Sequence, residues 1–267
     1  MYIRQEYKYL VSNELLDDIR AMMFPYVRLD HYLSKRDSID YTVRSIYFDT
    51  CKLNFYQEKL FGLKLRKKFR LRGYDRPVKN QIVFLEVKQK DETFISKNRS
   101  PIYFKNVRNL LISGDINKYI LNGNKFPKSK EDARRFLYYF YGKSLVPVVL
   151  IVYNREAYHS KFNSGVRITF DKSLRSEVCS STNDLFSRNK SIYSLTDYFI
   201  MEIKFIYGYP LWLKSIIEKL ELQRRTISKY AICIDKHKNE LSRFFKRSST
   251  ELFDAFYKQK IIKEVLV

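Results

Sequence analysis

Apolar and polar residues alternate most regularly between Leu63 and Tyr74. Leu63, Leu65, Lys67, Phe69 and Leu71 fall on one side of an extended chain, and Lys64, Arg66, Lys68, Arg70 and Arg72 fall on the other. Period-two alternation of this length predicts a strand with one packed and one charged face. Shorter alternating runs predict further strands at Tyr2 to Val11, Val43 to Asp49, Gln81 to Lys90, Val146 to Tyr158, Gly165 to Arg175 and Phe199 to Ile206. Thr93 to Lys97 continues the sheet after a tight turn at Asp91-Glu92. Helical spacing follows Ser12, whose hydroxyl can cap the first turn, and stops before Pro25. Lys52 to Leu60 and most of Tyr103 to Tyr141 read as helical, the latter broken by a loop near Asn122 to Ser129. Pro210 to Leu222, Ile227 to Asp235 and a basic segment from Lys238 to Val267 complete the list. A polar loop is expected after Pro25, and a Ser-rich stretch covers Ser176 to Ser194. Six to eight strands with helical excursions, and no internal repeat or linker, predict one α+β domain over residues 1–267.

Other strands share the charged face. Arg4, Glu6 and Lys8 lie together, as do Phe84, Glu86, Lys88 and Lys90. Arg167, Thr169 and Asp171 form a third group, Glu202 and Lys204 a fourth, and Arg155 lies in the run Val149 to Tyr158. Two architectures explain charged faces opposite apolar ones: an antiparallel sheet with one wet side, or a barrel with a charged interior and helices outside. Alternation alone leaves both open and leans to the open sheet. Same-face neighbours along a strand are about 7 Å apart. Unit charges at that spacing repel by roughly 2 kcal/mol at an effective dielectric near 20, and by roughly 0.6 kcal/mol in water. A solvated cationic face is therefore tolerable, whereas an enclosed one calls for an anion.

The overall charge points the same way. Lysine and arginine number 51 against 29 acidic residues, a formal net charge of +22. That excess suits a polyanionic partner such as nucleic acid, an acidic membrane surface or a phosphate chain. The three cysteines (Cys51, Cys179, Cys233) are odd in number and lack a CxxC, so no disulfide framework or zinc cluster is indicated. His31, His159 and His237 lack zinc spacing. Gly142-Lys143-Ser144 resembles the end of a phosphate-binding loop, but Leu137 stands where its first glycine is required. No signal peptide or membrane-length apolar run occurs, so a cytoplasmic setting is expected. Carboxylates among the cations (Glu6, Glu86, Asp171, Glu202) could balance charge between strands, or could hold Mg²⁺ or Mn²⁺ against phosphate.

Nine short segments, in order, carry a resemblance to a known family. They are Glu6-Tyr7-Lys8-Tyr9, Ser45-Ile46-Tyr47-Phe48-Asp49, Phe69-Arg70-Leu71-Arg72-Gly73-Tyr74, Phe84-Leu85-Glu86-Val87-Lys88 and Lys97-Asn98-Arg99. Tyr153-Asn154-Arg155-Glu156-Ala157-Tyr158, Val166-Arg167-Ile168-Thr169-Phe170-Asp171, Met201-Glu202-Ile203-Lys204 and Ser228-Lys229-Tyr230 follow. Together they resemble the VTC domain, the polyphosphate polymerase branch of the triphosphate tunnel metalloenzymes.

The resemblance implies an eight-stranded antiparallel β-barrel, open as a tunnel, with helices packed outside. It implies an ATP-dependent polyphosphate polymerase, which moves the γ-phosphoryl group of ATP onto a growing polyphosphate chain. Carried over residue by residue, Lys8, Arg70, Arg72, Lys88, Lys97, Arg155, Arg167 and Lys204 would bind phosphate. Lys229 and Ser228 would sit at the reacting phosphate, and Glu202 would hold Mn²⁺ or Mg²⁺. The partners implied are ATP and inorganic polyphosphate. No nucleic acid is expected, and contact with a membrane protein or an inner membrane face remains compatible with the basic C-terminal segment (Lys246, Arg247, Lys258, Lys260, Lys263). Two positions depart from the pattern. Arg4 stands where the superfamily often has a first glutamate, and Thr226 stands where relatives often have a lysine. A triphosphatase on the same scaffold, a non-catalytic polyphosphate-binding module and a nucleic-acid binder are the alternatives.

Overall fold

In the computed structural model, residues 5–34, 36–92, 94–162, 165–187 and 191–245 are described. The chain forms two compact units. The first comprises residues 1–43, 152–175 and 192–229, and the second residues 44–151, 176–191 and 230–267. Arg4 and the basic residues beyond 245 lie outside the described residues, while residues 238–245 are helical as expected.

The chain is α+β with a large antiparallel sheet. Its long strands are β1 (Gln5–Ser12), β3 (Tyr41–Asp49), β4 (Leu65–Tyr74), β5 (Ile82–Asp91), β6 (Phe94–Tyr103), β7 (Val146–Ser160), β8 (Arg167–Val178) and β10 (Tyr198–Phe205). Two short strands, β2 (Val27–Leu29) and β9 (Ile192–Tyr193), pair with β7 and β8. The strand order is β1-β10-β8-β7-β3-β4-β5-β6. Among the described residues no pairing joins β6 back to β1, so the strands follow an open path.

In the first unit, β1, β10 and β8 turn one face to an apolar core. Tyr9, Val11, Ile168, Phe170, Met201 and Ile203 are buried there. Helices α1 (Leu16–Met23) and α6 (Leu211–Lys219) cover them with Ile19, Met23, Leu213 and Ile216. Full burial of one such side chain contributes about 1.5–3 kcal/mol. A 3-10 turn, Asn13–Leu15, precedes α1, and Ser12 Oγ accepts the Glu14 N–H at 3.4 Å, a long contact at the position expected for a cap. The polar loop expected after Pro25 instead contains β2. Val27 is buried within this three-residue strand, which is too short for its alternation to register.

In the second unit, β4, β5 and β6 pair in continuous antiparallel register. Phe69, Leu71, Val83, Leu85, Val87 and Ile102 are buried on the apolar face. Helix α2 (Asn54–Leu60) places Phe55 5.0 Å from Phe69, and α5 (Ser129–Gly142) places Phe136 6.0 Å from it. The expected helical stretch up to Tyr141 is three helices, α3 (Val107–Ser113), α4 (Ile116–Tyr119) and α5. Gly73 is required by close approach, because a Cβ there would fall 2.5 Å from Phe186 Cζ. Asp49, buried at the end of β3, accepts the N–H groups of Phe55 and Tyr56, both at 3.0 Å, and thereby caps α2. It also accepts the Tyr230 hydroxyl at 2.6 Å, which ties down α7 (Lys229–Lys236).

Candidate phosphate-binding site

The alternation that marked the strands also aligns their charges. In the second unit, register places Arg70 opposite Glu86 and Glu86 opposite Arg99. Lys68, Lys88 and Lys97 form the next row, and Arg66 and Lys90 the row beyond. Arg72 lies across from Phe84 on the same face. Eight cations thus share a three-strand face with one carboxylate, Glu86.

Glu86 is 1% exposed. Its Oε2 accepts Arg70 Nε at 2.6 Å and lies 3.9 Å from Arg72 Nη1. Its Oε1 lies 3.1 Å from Arg99 Nε, at an angle that makes no hydrogen bond, and 3.6 Å from Lys97 Nζ. Burial would raise the carboxyl pKa, but Arg70, Arg72, Lys97 and Arg99 outweigh it and hold it well below the usual carboxylate range. Lys97 responds in the opposite sense. Desolvation of its ammonium, with repulsion from Arg70, Arg72 and Arg99, exceeds the attraction of Glu86 and lowers its pKa to about 8. The Lys97 side chain is nevertheless half-exposed, so a ligand on this face can reach its ammonium. Arg70 also donates to Tyr47 Oη at 3.1 Å and Arg72 to Ser45 Oγ at 3.2 Å.

In the first unit, Glu6 pairs with Lys204, Lys8 with Glu202, and Glu202 with Thr169 in register. Lys8 Nζ lies 3.0 Å from Glu6 and 3.6 Å from Glu202. Lys204 forms an ion pair with Glu202 and lies 3.8 Å from Glu6. Burial disfavours the Lys8 ammonium, yet Glu202 and Glu6 keep its pKa above the ordinary value. Burial likewise disfavours the Glu202 carboxylate, but Lys8, Lys204, Lys229 and Arg155 hold it well below the ordinary value. Glu202 is therefore ionised. Lys204 is pulled the other way by its own desolvation, which its two glutamates do not fully offset.

Arg155 grips Asp171 through two hydrogen bonds, and Lys229 forms an ion pair with the same carboxylate. Lys229 arrives there because the segment before α7 runs along the edge of β1. Arg224 bridges to Tyr9, Arg225 N donates to the Lys8 carbonyl at 2.9 Å, and Lys8 Nζ reaches the Ile227 carbonyl at 3.3 Å. Ser228 is buried beside Lys229. Arg167 is engaged by Asp30, with Nη2 at 3.1 Å, and His159 shares that carboxylate. Thr169 Oγ1 is buried and has no hydrogen-bond partner among the described residues.

The residues expected from the sequence therefore divide between the units. Lys8, Arg155, Arg167, Lys204, Glu202, Ser228 and Lys229 belong to the first, and Arg70, Arg72, Lys88 and Lys97 to the second. Arg99 was seen only as part of a motif, although its place two residues from Lys97 in a strand puts both on one face. Asp30 had no local signal, since it lies in the segment expected to be loop.

A family model for the VTC domain matches residues 3–238. The chain belongs to the VTC domain family. Membership gives this VTC domain a polyphosphate-related function, and the match runs through segments of both units. Among solved structures it is similar to the PH1819 protein from Pyrococcus horikoshii OT3, at 15% identity and a TM-score of 0.41. That similarity covers 87% of this chain and 99% of the other. No curated protein matches it. Among the described residues, no helix is long and apolar enough to cross a membrane.

Proposed function

We propose that this VTC domain is an ATP-dependent polyphosphate polymerase. The observation that carries the reading is the β4–β5–β6 face, where eight cations share one buried carboxylate and four of them gather on it. A phosphate chain supplies the negative charge that such a face lacks. Charge-assisted hydrogen bonds contribute about 1.5–3 kcal/mol each. Arginine forks such as Arg70 and Arg72 fix two oxygens at a time, whereas Lys88 and Lys97 act as point charges. The closed eight-stranded tunnel of the family fold is part of the same reading.

In the reaction, a terminal oxygen of the polyphosphate chain attacks the γ-phosphorus of ATP. The bond from that phosphorus to the β–γ bridging oxygen breaks, and ADP leaves with the electron pair. Such transfer depends on alignment and charge neutralisation more than on covalent help. Lys229 neutralises charge on the transferred group, and Ser228 orients it by hydrogen bonding. Lys8, Lys204, Arg155 and Arg167 hold the flanking phosphates.

The donor set accommodates a divalent ion only jointly with phosphate. No group of three or more His, Cys, Asp or Glu side chains suited to a metal occurs among the described residues. Glu202 supplies an ionised oxygen, with Glu6 as the neighbouring carboxylate, and Mg²⁺ or Mn²⁺ commonly completes its shell with phosphate oxygens and water. Bound there, the ion would neutralise phosphate oxygens and ease departure of ADP.

Incubation of the protein with ATP and Mn²⁺ tests the reading through the appearance of polymer that a polyphosphatase degrades. Release of free phosphate from tripolyphosphate without polymer would favour a triphosphatase. Tight, salt-sensitive polyphosphate binding without turnover would favour a binding module.

A further inference from the structure

At one end of the β4–β5–β6 face the cations give way to aromatic rings. Tyr74 and Phe84 meet edge to face at 6.2 Å, and Phe126 lies 5.7 Å from Phe84. The Arg99 guanidinium stacks 3.5 Å from the Phe84 centroid, lies 5.9 Å from that of Phe126, and donates to Tyr74 Oη at 3.1 Å. Phe126 is held in a tight turn, where its N–H donates to the Gly123 carbonyl at 2.9 Å. All four side chains are half-buried, so the cluster is ordered yet reachable from solvent. Arg99 shares its row with Arg70 and Glu86, one row along from Phe84, and Lys97 stands with Lys88 and Lys68 in the row beyond.

We infer that this aromatic end takes the purine base of a nucleotide, stacked on Arg99 and Phe126. The inference rests on the polyphosphate reading and adds the place where the nucleoside docks. A guanidinium backed by a ring presents a flat, weakly hydrated, cationic plane, which suits the π-face of a base. Rows along a strand are about 7 Å apart, the scale of the ribose that separates a base from its phosphates. A base at Arg99 therefore directs its phosphates along the strands toward Lys97 and Lys88, one row away. The rings are confined to one end of the face. That accommodates a single base rather than the successive bases of a nucleic-acid strand.

The test titrates the full chain with ADP, with pyrophosphate and with long-chain polyphosphate. The wild type should bind ADP more tightly than pyrophosphate. Phe126→Ala should weaken ADP binding about tenfold, the loss of one stacking contact, and leave pyrophosphate and polyphosphate binding unchanged. Saturation-transfer NMR should show contact to the adenine protons in the wild type and lose it in Phe126→Ala. Phe84→Leu, which keeps an apolar side chain in place, should give the same selective loss. Equal affinity of the wild type for ADP and pyrophosphate would overturn the inference and leave the polyphosphate reading standing. Equal loss of all three ligands in both variants, or loss of none, would also overturn it. Failure of the wild type to bind any of the three would remove the polyphosphate reading itself, and this inference with it.

Discussion

Arg155 and Asp171 face each other from neighbouring strands, with Nε to Oδ1 at 2.5 Å and Nη2 to Oδ2 at 2.7 Å. Asp171 is fully buried, and Lys229 shares its carboxylate. Burial opposes its ionisation, but Arg155 and Lys229 lower its pKa to about 2. One aspartate thus orients both Arg155, proposed here to bind phosphate, and Lys229, proposed to sit at the reacting phosphate. Asp171→Asn should destabilise the protein by about 3–5 kcal/mol, the usual loss when one partner of a buried pair is removed. A thermal melt checks this, and an unchanged Tm would show that the pair does not hold the strands.

Lys229→Ala leaves Asp171 still bound to Arg155, so the fold should survive. Polymer synthesis should fall by at least about 100-fold, as for other groups that stabilise transition-state charge. The comparison requires circular dichroism beside the activity assay. Synthesis near the wild-type rate in folded Lys229→Ala would remove the lysine from the site. Glu202 calls for a gentler change. Alanine there would leave two lysines without their shared carboxylate. Glu202→Gln keeps the shape and should lose the Mn²⁺ or Mg²⁺ dependence together with synthesis.

Glu86 compensates four neighbouring cations, and its ionised form is favoured in the folded state. Its contribution is present above the ordinary carboxylate pKa near about 4.3. It disappears as pH falls through the depressed folded value. Glu86→Gln should therefore lower the Tm at neutral pH and remove part of the acid sensitivity. Polyphosphate should raise the Tm of this variant more than that of the wild type, because the ligand then replaces the missing charge. A smaller shift in the variant would mean that the phosphate chain does not occupy this face.

Lys97 provides a pH signature. Its pKa of about 8 means that the ligand-free protein releases this proton in mildly alkaline solution. An unfolded lysine keeps its proton to higher pH, so this group makes stability rise with pH from about 8 upward, toward the ordinary lysine value near about 10.4. A bound polyanion favours the charged form, so binding above pH 8 should take up a proton and weaken as pH rises. Calorimetry in buffers of different ionisation enthalpy measures that uptake. Lys97→Arg keeps the charge at all accessible pH and should abolish it. Uptake unchanged in the arginine variant would assign the proton to another group.

Long-range features divided cleanly in how far the sequence revealed them. The cationic face of β4 was legible because alternation runs without a break from Lys64 to Arg72. The apolar backs of β5, β8 and β10 followed for the same reason. Strand β2 was not legible, because three residues carry too little periodicity. Pairings such as Arg167 with Asp30, or Lys229 with Asp171, depend on segments distant in sequence, which no local pattern encodes. The resemblance marks Arg70, Arg72 and Lys97 as phosphate binders, and their side-chain ion pairs bring all three to Glu86. The aromatic end around Arg99 was invisible, since Phe126 joins it from a turn outside the sheet.

The most direct measurement resolves by gel the product formed from ATP and Mn²⁺, with and without polyphosphatase treatment. A ladder of polyphosphatase-sensitive chains, lost in Lys229→Ala and in the double variant Arg70→Ala/Arg72→Ala, is the predicted result. ATP left intact across metals and pH, by a folded protein that also fails to bind polyphosphate, would contradict the claim that these cations gather to hold a phosphate chain.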